Sequence, residues 1–467
     1  MSALVNPTFW LLIGLLVASA WPRSSWPTGL PRTSTSIVFL ALFTVCALAN
    51  VGVRGLVGQA VPGDFAQEVV AARSFQATGS LYSADINADV RVWLRAEPPA
   101  LPLWLPGPLA DYLRTRQASG RNQLVTQAHP PTLLLSVAPL IAIVGAPTAF
   151  WLLAFASVVA AVVASQQLLT AWRPAAAPTE RWLAAVALIS WQPVLATIRD
   201  GQFSVLIGAL LIAAWRAVRS GRLPWGGAAA GMATALKLYP ATLFLLMAVR
   251  WRRSLGTGLS VVAVAFAAVV AVAGVQAWVE YAASAEIIGR WFAPEPHNLA
   301  ISARIAAISP PEWLAGAYAL VTTAMCLVTF NAMWRGGWGR TDPFAVDVEF
   351  GLFIALAMLL SPVAWSHYAF MLAQPLAVIL VACLRSGSRL ALPCWAFAVL
   401  LLAVPDDWVR ALWAMLPPSE ALIRLVSPGV VVLLLWVVLL RLRSLTAADP
   451  LVSRWRQSPG VAESVTV

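Results

Sequence analysis

An all-α, polytopic membrane fold is predicted for this chain by three observations. The first is composition: 60% of the 467 residues are hydrophobic, only 11% are charged, and the mean hydropathy is +0.78. Soluble domains carry about 25% charged residues. The second is the recurrence of apolar runs near the roughly 17–25 residues that cross a hydrocarbon core. The third is the placing of arginines in short loops between those runs, the distribution that marks a cytoplasmic side. That clustering also accounts for the net charge of +11, so the basic balance implies no nucleic-acid partner. Twenty-three tryptophans suit the interfacial belts of such a protein. Cys46, Cys326, Cys383 and Cys394 all lie in apolar runs, without the spacing of a disulfide framework or a metal site.

Taken in order, residues 8–21 are apolar but short, and no small-residue cleavage site follows them. Residues 36–57 make a better span, and Arg23 and Arg32 before it direct it from inside to outside. Residues 62–130 then form a long first outer loop. Its first half, Asp64 to Phe75, is predicted to be an amphipathic helix; its second half is rich in proline and tryptophan. Further apolar runs follow near 131–146, 148–171, 182–198, 203–218, 224–249, 256–279, 313–332, 349–365, 368–384, 390–405 and 426–441. This gives about 11–13 membrane segments. The run 224–249 has arginine loops at both ends and a Lys-Leu-Tyr-Pro sequence in its middle, at 237–240. Proline removes a helix hydrogen bond, so a broken helix that enters and returns satisfies the charge rule. Residues 280–312 read as an amphipathic helix pair on the outer surface. The chain thus divides into an N-terminal segment and basic loop (1–35), a transmembrane domain (36–443) and a polar, cytoplasmic, poorly ordered tail (444–467).

The polar chemistry outside the arginine loops falls on segments that this topology places outside. Asp64 suits either a helix N-cap or a general base at the membrane surface, where an exposed carboxylate is ionised near neutral pH. Lys237 is the only lysine and sits inside an apolar run. An ionisable residue there costs roughly 2.5–3.5 kcal/mol unless paired, which marks either a functional site or a structural pair. His367 stands in SPVAWSHY, at a junction between two spans. No histidine pair has metal-ligand spacing, and Asp85, Asn87 and Asp89 fit a turn better than a cation site. There is no P-loop and no dinucleotide fingerprint. No cofactor is expected.

Several motifs, in order, resemble glycosyltransferase family 87, whose members are GT-C-type membrane enzymes. They are GDF at 63–65, HPP at 129–131, DGQFSVLIGALL at 200–211, AAAGMATALKLYPATLFLL at 228–246, HNLAISARIAAI at 297–308 and SPVAWSHY at 361–368. Phe203, Tyr368 and the Leu299–Ala300 pair depart from the family pattern. The resemblance implies an inverting transfer of mannose from a polyprenyl-phosphate donor to a glycolipid or glycan hydroxyl on the outer face of the cell membrane, giving an α-mannoside, α-1,2 in the first instance. It implies Asp64 as the base, Lys237, His367 and Arg304 at the donor phosphate, and Tyr239, Gln202, Asp200, His129 and Asn298 at the substrates. A related donor such as decaprenyl-phosphate-arabinose stays open at this stage. So does a transporter of lipid-linked sugars, since an intramembrane lysine beside a broken helix also suits one.

Overall fold

The computed structural model describes residues 64–82, 129–293, 295, 298–337, 342–386, 390–403, 428–445, 449, 451, 452 and 455. The predicted segments at 8–21 and 36–57, the proline- and tryptophan-rich half of the first outer loop, the Asp85–Asp89 turn and His297 lie outside the described residues.

Among the described residues all regular structure is helical. The elements are α1 (Phe65–Thr78), α2 (Pro131–Val144), α3 (Ala146–Trp172), α4 (Pro178–Ile189), α5 (Gln192–Asp200), α6 (Ser204–Arg219), α7 (Leu223–Leu236), α8 (Thr242–Arg250), α9 (Arg252–Ala273), α10 (Gln276–Phe292), α11 (Ile301–Ile308), α12 (Leu314–Arg335), α13 (Pro343–Leu360), α14 (Ala373–Ser386), α15 (Ala391–Leu402) and α16 (Gly429–Arg443). Short 3-10 turns at Tyr239–Ala241, Pro311–Trp313 and Ser366–Leu372 lead into α8, α12 and α14. By length and composition α3, α9, α12, α13 and the 3-10/α14 unit can each cross a membrane, and α4 with α5 makes a sixth candidate bent by 54°. Pro193, in the first turn of α5, accounts for the bend, because proline lacks the N–H that would continue the α4 hydrogen bonds and its ring crowds the preceding turn.

α13 is the central helix. Apart from Asp347 and Glu349 near its start it is apolar all round, and 94% of its span is buried, as expected of a helix with no solvent face. α9 and α12 lie at the periphery, where Val264, Phe266, Leu320 and Leu327 are exposed; these are faces that suit lipid.

The run predicted to be a broken helix is broken and turns back on itself. α7 ends at Leu236, Lys237 takes extended backbone, and α8 begins after the turn through Pro240. Small residues then let α7 pack directly on α9. A side chain at Gly227 or Gly231 would strike the backbone of Ser254 or Gly258, so this pair of helices meets backbone to backbone. The equal spacing of those contacts makes α7 and α9 parallel, which requires α8 to run back between them.

Arginines from four helix ends gather at one end of the bundle. Arg219 meets Asp347 at 2.8 Å, while Arg250 and Arg443 meet Glu349 at 3.0 and 2.7 Å. The Trp215 and Trp455 indole N–H groups donate to the two Asp347 oxygens, at 2.9 and 3.3 Å, and Arg385 lies over the Trp455 ring. The sequence reading treated these arginines as plain loop charges and placed the tail after 444 among poorly ordered segments. The structure amends both points. The arginines are paired with two buried acids of α13, and Val452 and Trp455 are fully buried. Trp455 packs on Phe344 and Trp172 with ring centroids 5.0 and 6.5 Å away, so an aromatic anchor fixes part of a tail that is polar elsewhere.

Candidate functional site

The other ends of these helices carry a second polar cluster. α6 runs from the turn at Gln202 to Arg219, roughly 24 Å at 1.5 Å per residue, so the two clusters lie at opposite ends of one helix.

This second cluster begins with Gly201. It follows α5 with a φ of +66°, a left-handed conformation that glycine adopts without strain. It also has no side chain, and a Cβ there would stand 2.5 Å from the Phe65 Cβ. That close approach, with Phe65 packed on Phe150 at 5.8 Å, sets the first turn of α1 against the α5–α6 turn. Asp64 is thereby brought beside Asp200 and Gln202.

Asp64 occupies the N-cap position of α1, yet its side chain makes no cap hydrogen bond. Its carboxylate instead accepts from the Gln202 side chain. The Gln202 carbonyl oxygen in turn accepts from Lys237 Nζ at 3.4 Å, so this amide bridges the acid and the ammonium. Lys237 donates its shorter hydrogen bond to the Tyr368 hydroxyl, at 2.6 Å. Tyr368 stacks on Tyr239 with centroids 5.4 Å apart, and Tyr239 donates to the Met371 sulfur. A break in the α7–α8 hairpin is what frees Lys237 to point across to these groups.

Burial of Asp64, with the nearby charges of Asp200 and Glu68, pushes its pKa up to about 7. The hydrogen bond from Gln202 and the charge of Lys237 pull in the other direction and are outweighed. The expectation of an exposed, fully ionised carboxylate is therefore corrected: the group is partly buried among other acids. A carboxyl group with such a pKa can exchange a proton near neutral pH.

Other predicted residues join the cluster. Asp200 is held by Arg199 through two bonds, at 2.7 and 3.0 Å. The His129 Nδ1 lies 2.5 Å from Glu68 Oε1, and the His129 carbonyl accepts from the Tyr82 hydroxyl. His367 is buried, with Lys237, His129 and Arg199 as neighbours, and its Nε2 has no hydrogen-bond partner.

Asn298 and Arg304 form a separate group. The Asn298 amide donates to the Phe292, Ala293 and Pro362 carbonyls and to the Ser302 hydroxyl, and its oxygen accepts from Ala300 and Ala364 N–H. All its hydrogen-bonding capacity is spent on tying the loop before α11 to the turn after α13. Arg304 donates to the Asn298 and Ala300 carbonyls and packs on Gly429, and burial lowers its pKa to about 10. Its Nε and Nη2 have no hydrogen-bond partner.

Glu68 is the group that residue-by-residue reading missed. It lies one helical turn after Asp64 on α1 and is 2% exposed. The signal was present in the i, i+4 spacing, which sets two residues on one helix face. Beside the cluster, an apolar groove of about 520 Å³ opens between α1, α2 and α9, lined by Phe75, Leu135, Pro139, Ala265 and Val269 among others. Thr132 also lines it, and its hydroxyl donates to the carbonyl of Ala235, two residues before Lys237. No group of three or more His, Cys, Asp or Glu side chains disposed to hold a metal ion occurs among the described residues.

Fold and site together define a polytopic helical membrane protein with an acid–ammonium cluster at one end of its bundle, next to an apolar groove. Residues 128–362 match the model of glycosyltransferase family 87, half of the chain, and the chain belongs to that family. It is a sugar-transferring enzyme, which sets the transporter alternative aside. The matched stretch includes His129, Asp200, Gln202, Lys237, Tyr239, Asn298 and Arg304, while Asp64, Glu68, His367 and Tyr368 fall outside it. No curated protein and no solved structure matches the chain.

Proposed function

We propose that this enzyme is an inverting mannosyltransferase that moves mannose from polyprenyl-phosphate-mannose to a hydroxyl of a glycolipid or glycan, forming an α-mannoside. The observation that carries the reading is the Asp64–Gln202–Lys237 bridge, a carboxylate with a pKa of about 7 linked through one amide to a buried ammonium. Inverting transfer needs a base at the acceptor hydroxyl and a cation for the charge that builds on the leaving phosphate. In this reading Asp64 takes the acceptor proton as the acceptor oxygen attacks the anomeric carbon. The anomeric carbon–phosphate oxygen bond breaks, and the electron pair leaves with the polyprenyl phosphate. Lys237 neutralises that phosphate, and His367 donates a hydrogen bond to it. Proton uptake by Asp64 also removes the anion competing for Lys237, so the ammonium becomes available as the phosphate charge grows. The groove beside Thr132 is suited to the apolar tail of the donor.

The site faces the extracytoplasmic side in this proposal, because the arginine-rich end of the bundle is the opposite one and arginines mark the cytoplasm. The test is transfer by the purified enzyme from radiolabelled polyprenyl-phosphate-mannose, with Asp64→Asn in parallel. Wild type should form an α-mannoside and the variant should lose at least 100-fold in kcat while remaining folded. Turnover with an arabinose donor and none with mannose would overturn the donor assignment; undiminished transfer by Asp64→Asn would overturn the base.

A further inference from the structure

Glu68 has no role in the transfer as described, yet it is a carboxylate buried in the same cluster. It shares the buried face of α1 with Asp64, one turn away, and is 2% exposed. One oxygen lies 2.5 Å from His129 Nδ1, and neither oxygen accepts a well-aligned hydrogen bond. Lys237 hydrogen-bonds Gln202 and Tyr368, and Gln202 stands between it and Asp64. His129 is itself fixed, since its carbonyl accepts from Tyr82 and the following residues open α2. An ionisable side chain buried in an apolar bundle is costly even with a partner. Packing alone would be served at less cost by an apolar side chain of similar size.

We propose that Glu68, held by His129, is a positioning residue for transfer: a second acid one turn from Asp64 on the same buried face, it opposes pairing of Asp64 with Lys237 and so keeps Asp64 free to take the acceptor proton. Without Glu68, Lys237 would pair with Asp64, and the base would be tied up as half of an ion pair. The inference rests on the reading of Asp64 as base. The charged and titratable groups around Asp64 are Glu68 on the same helix, His129 before α2, Asp200 with Arg199 at the end of α5, Lys237 between α7 and α8, and His367 and Tyr368 before α14. Glu68 and Asp200 oppose ionisation of Asp64, and Lys237 favours it.

The experiment is the pH profile of kcat/KM for mannosyl transfer by wild type, Glu68→Gln, Glu68→Asp and Asp64→Asn, each checked for folding by thermal unfolding in detergent. Glu68→Gln should move the rising limb to lower pH by about one unit, because a like charge has been removed, and should lower kcat more than it changes KM. Glu68→Asp keeps the charge and should hold the wild-type limb. If Glu68→Gln does not fold, the double variant Glu68→Ala/His129→Phe removes both partners and leaves no orphaned donor; it should show the same downward shift. A limb that stays at the wild-type pH in the folded variant overturns the inference while Asp64→Asn remains inactive. An active Asp64→Asn overturns the underlying reading instead.

Discussion

Replacing Gly201 with alanine tests whether the packing of an uncharged backbone turn sets the chemistry. The added Cβ would lie 2.5 Å from the Phe65 Cβ and 3.2 Å from its Cγ, with Phe150 at 3.4 Å. Ordinary carbon contacts begin near 3.5 Å, so about 1 Å must open between the α5–α6 turn and the start of α1. Alanine at a φ of +66° adds about 1–2 kcal/mol of backbone strain. Phe65 is the neighbour of Asp64, so the shift moves the carboxylate away from Gln202. A misplacement of about 1 Å can cost roughly 100-fold in rate. The expected outcome is therefore a loss of stability with a fall of that order in kcat/KM. Gly79→Ala supplies the control. Gly79 has a similar φ of +76° at the other end of the same helix, but nothing lies within 4 Å of an added Cβ. It should lose stability to strain and retain activity. The two variants are compared by thermal unfolding in detergent and by transfer of radiolabelled sugar. Equal activity in Gly201→Ala and Gly79→Ala, at equal stability, would refute the argument that this contact positions the base.

Three further outcomes follow from other parts of the structure. Lys237→Met removes the ammonium that favours ionisation of Asp64, so the rising limb of kcat/KM should move above pH 7 and the rate should fall by about 100-fold or more; a rate within fivefold of wild type across the pH range would remove Lys237 from the reaction. The folded pKa of Asp64 lies above its ordinary value of 3.8, so the ionised group opposes folding and native stability declines as pH rises from about 4 to about 7. Asp64→Asn should accordingly unfold at a higher temperature than wild type at pH 8, with the advantage fading toward pH 4, and the absence of any such advantage would argue against a raised pKa. Trp455→Ala deletes a fully buried ring that donates to Asp347, and should cost about 3–5 kcal/mol of stability with kcat unchanged in the folded fraction; chemical unfolding and transfer assays on the same preparation decide it.

The broken helix at Lys237 was legible in the sequence because two constraints met there: arginines at both ends of one apolar run, and a proline beside the only lysine. The stretches holding α1, α10 and α11 were legible as helical, but α11 is not a surface helix, since Ile301, Ser302, Ala303, Arg304 and Ile305 are buried. Asp347 and Glu349 carried the same signal as Lys237, charge within or at the edge of an apolar run, but their meaning depended on which arginines would reach them. Arg219, Arg250 and Arg443 come from helices far apart in sequence, and only packing brings them to α13.

The candidate site divides in the same manner. Composition and motif order determined that the chain is a helical membrane protein resembling glycosyltransferase family 87, and they singled out Asp64, Lys237, His129, Asp200, Gln202, Tyr239 and His367. They could not determine that Asn298 spends its amide on backbone groups, nor that Asp64 leaves its own helix uncapped to bond Gln202. Hydrogen-bond partners are chosen by distance, and the distances were set by residues with no chemistry of their own. Gly201 lets α1 approach, and Gly227 and Gly231 let α7 approach α9. Residue types dictate which groups are costly to bury; the tertiary structure decides which of them are buried together, and hence that Asp64 lies among other acids with its pKa raised toward neutrality.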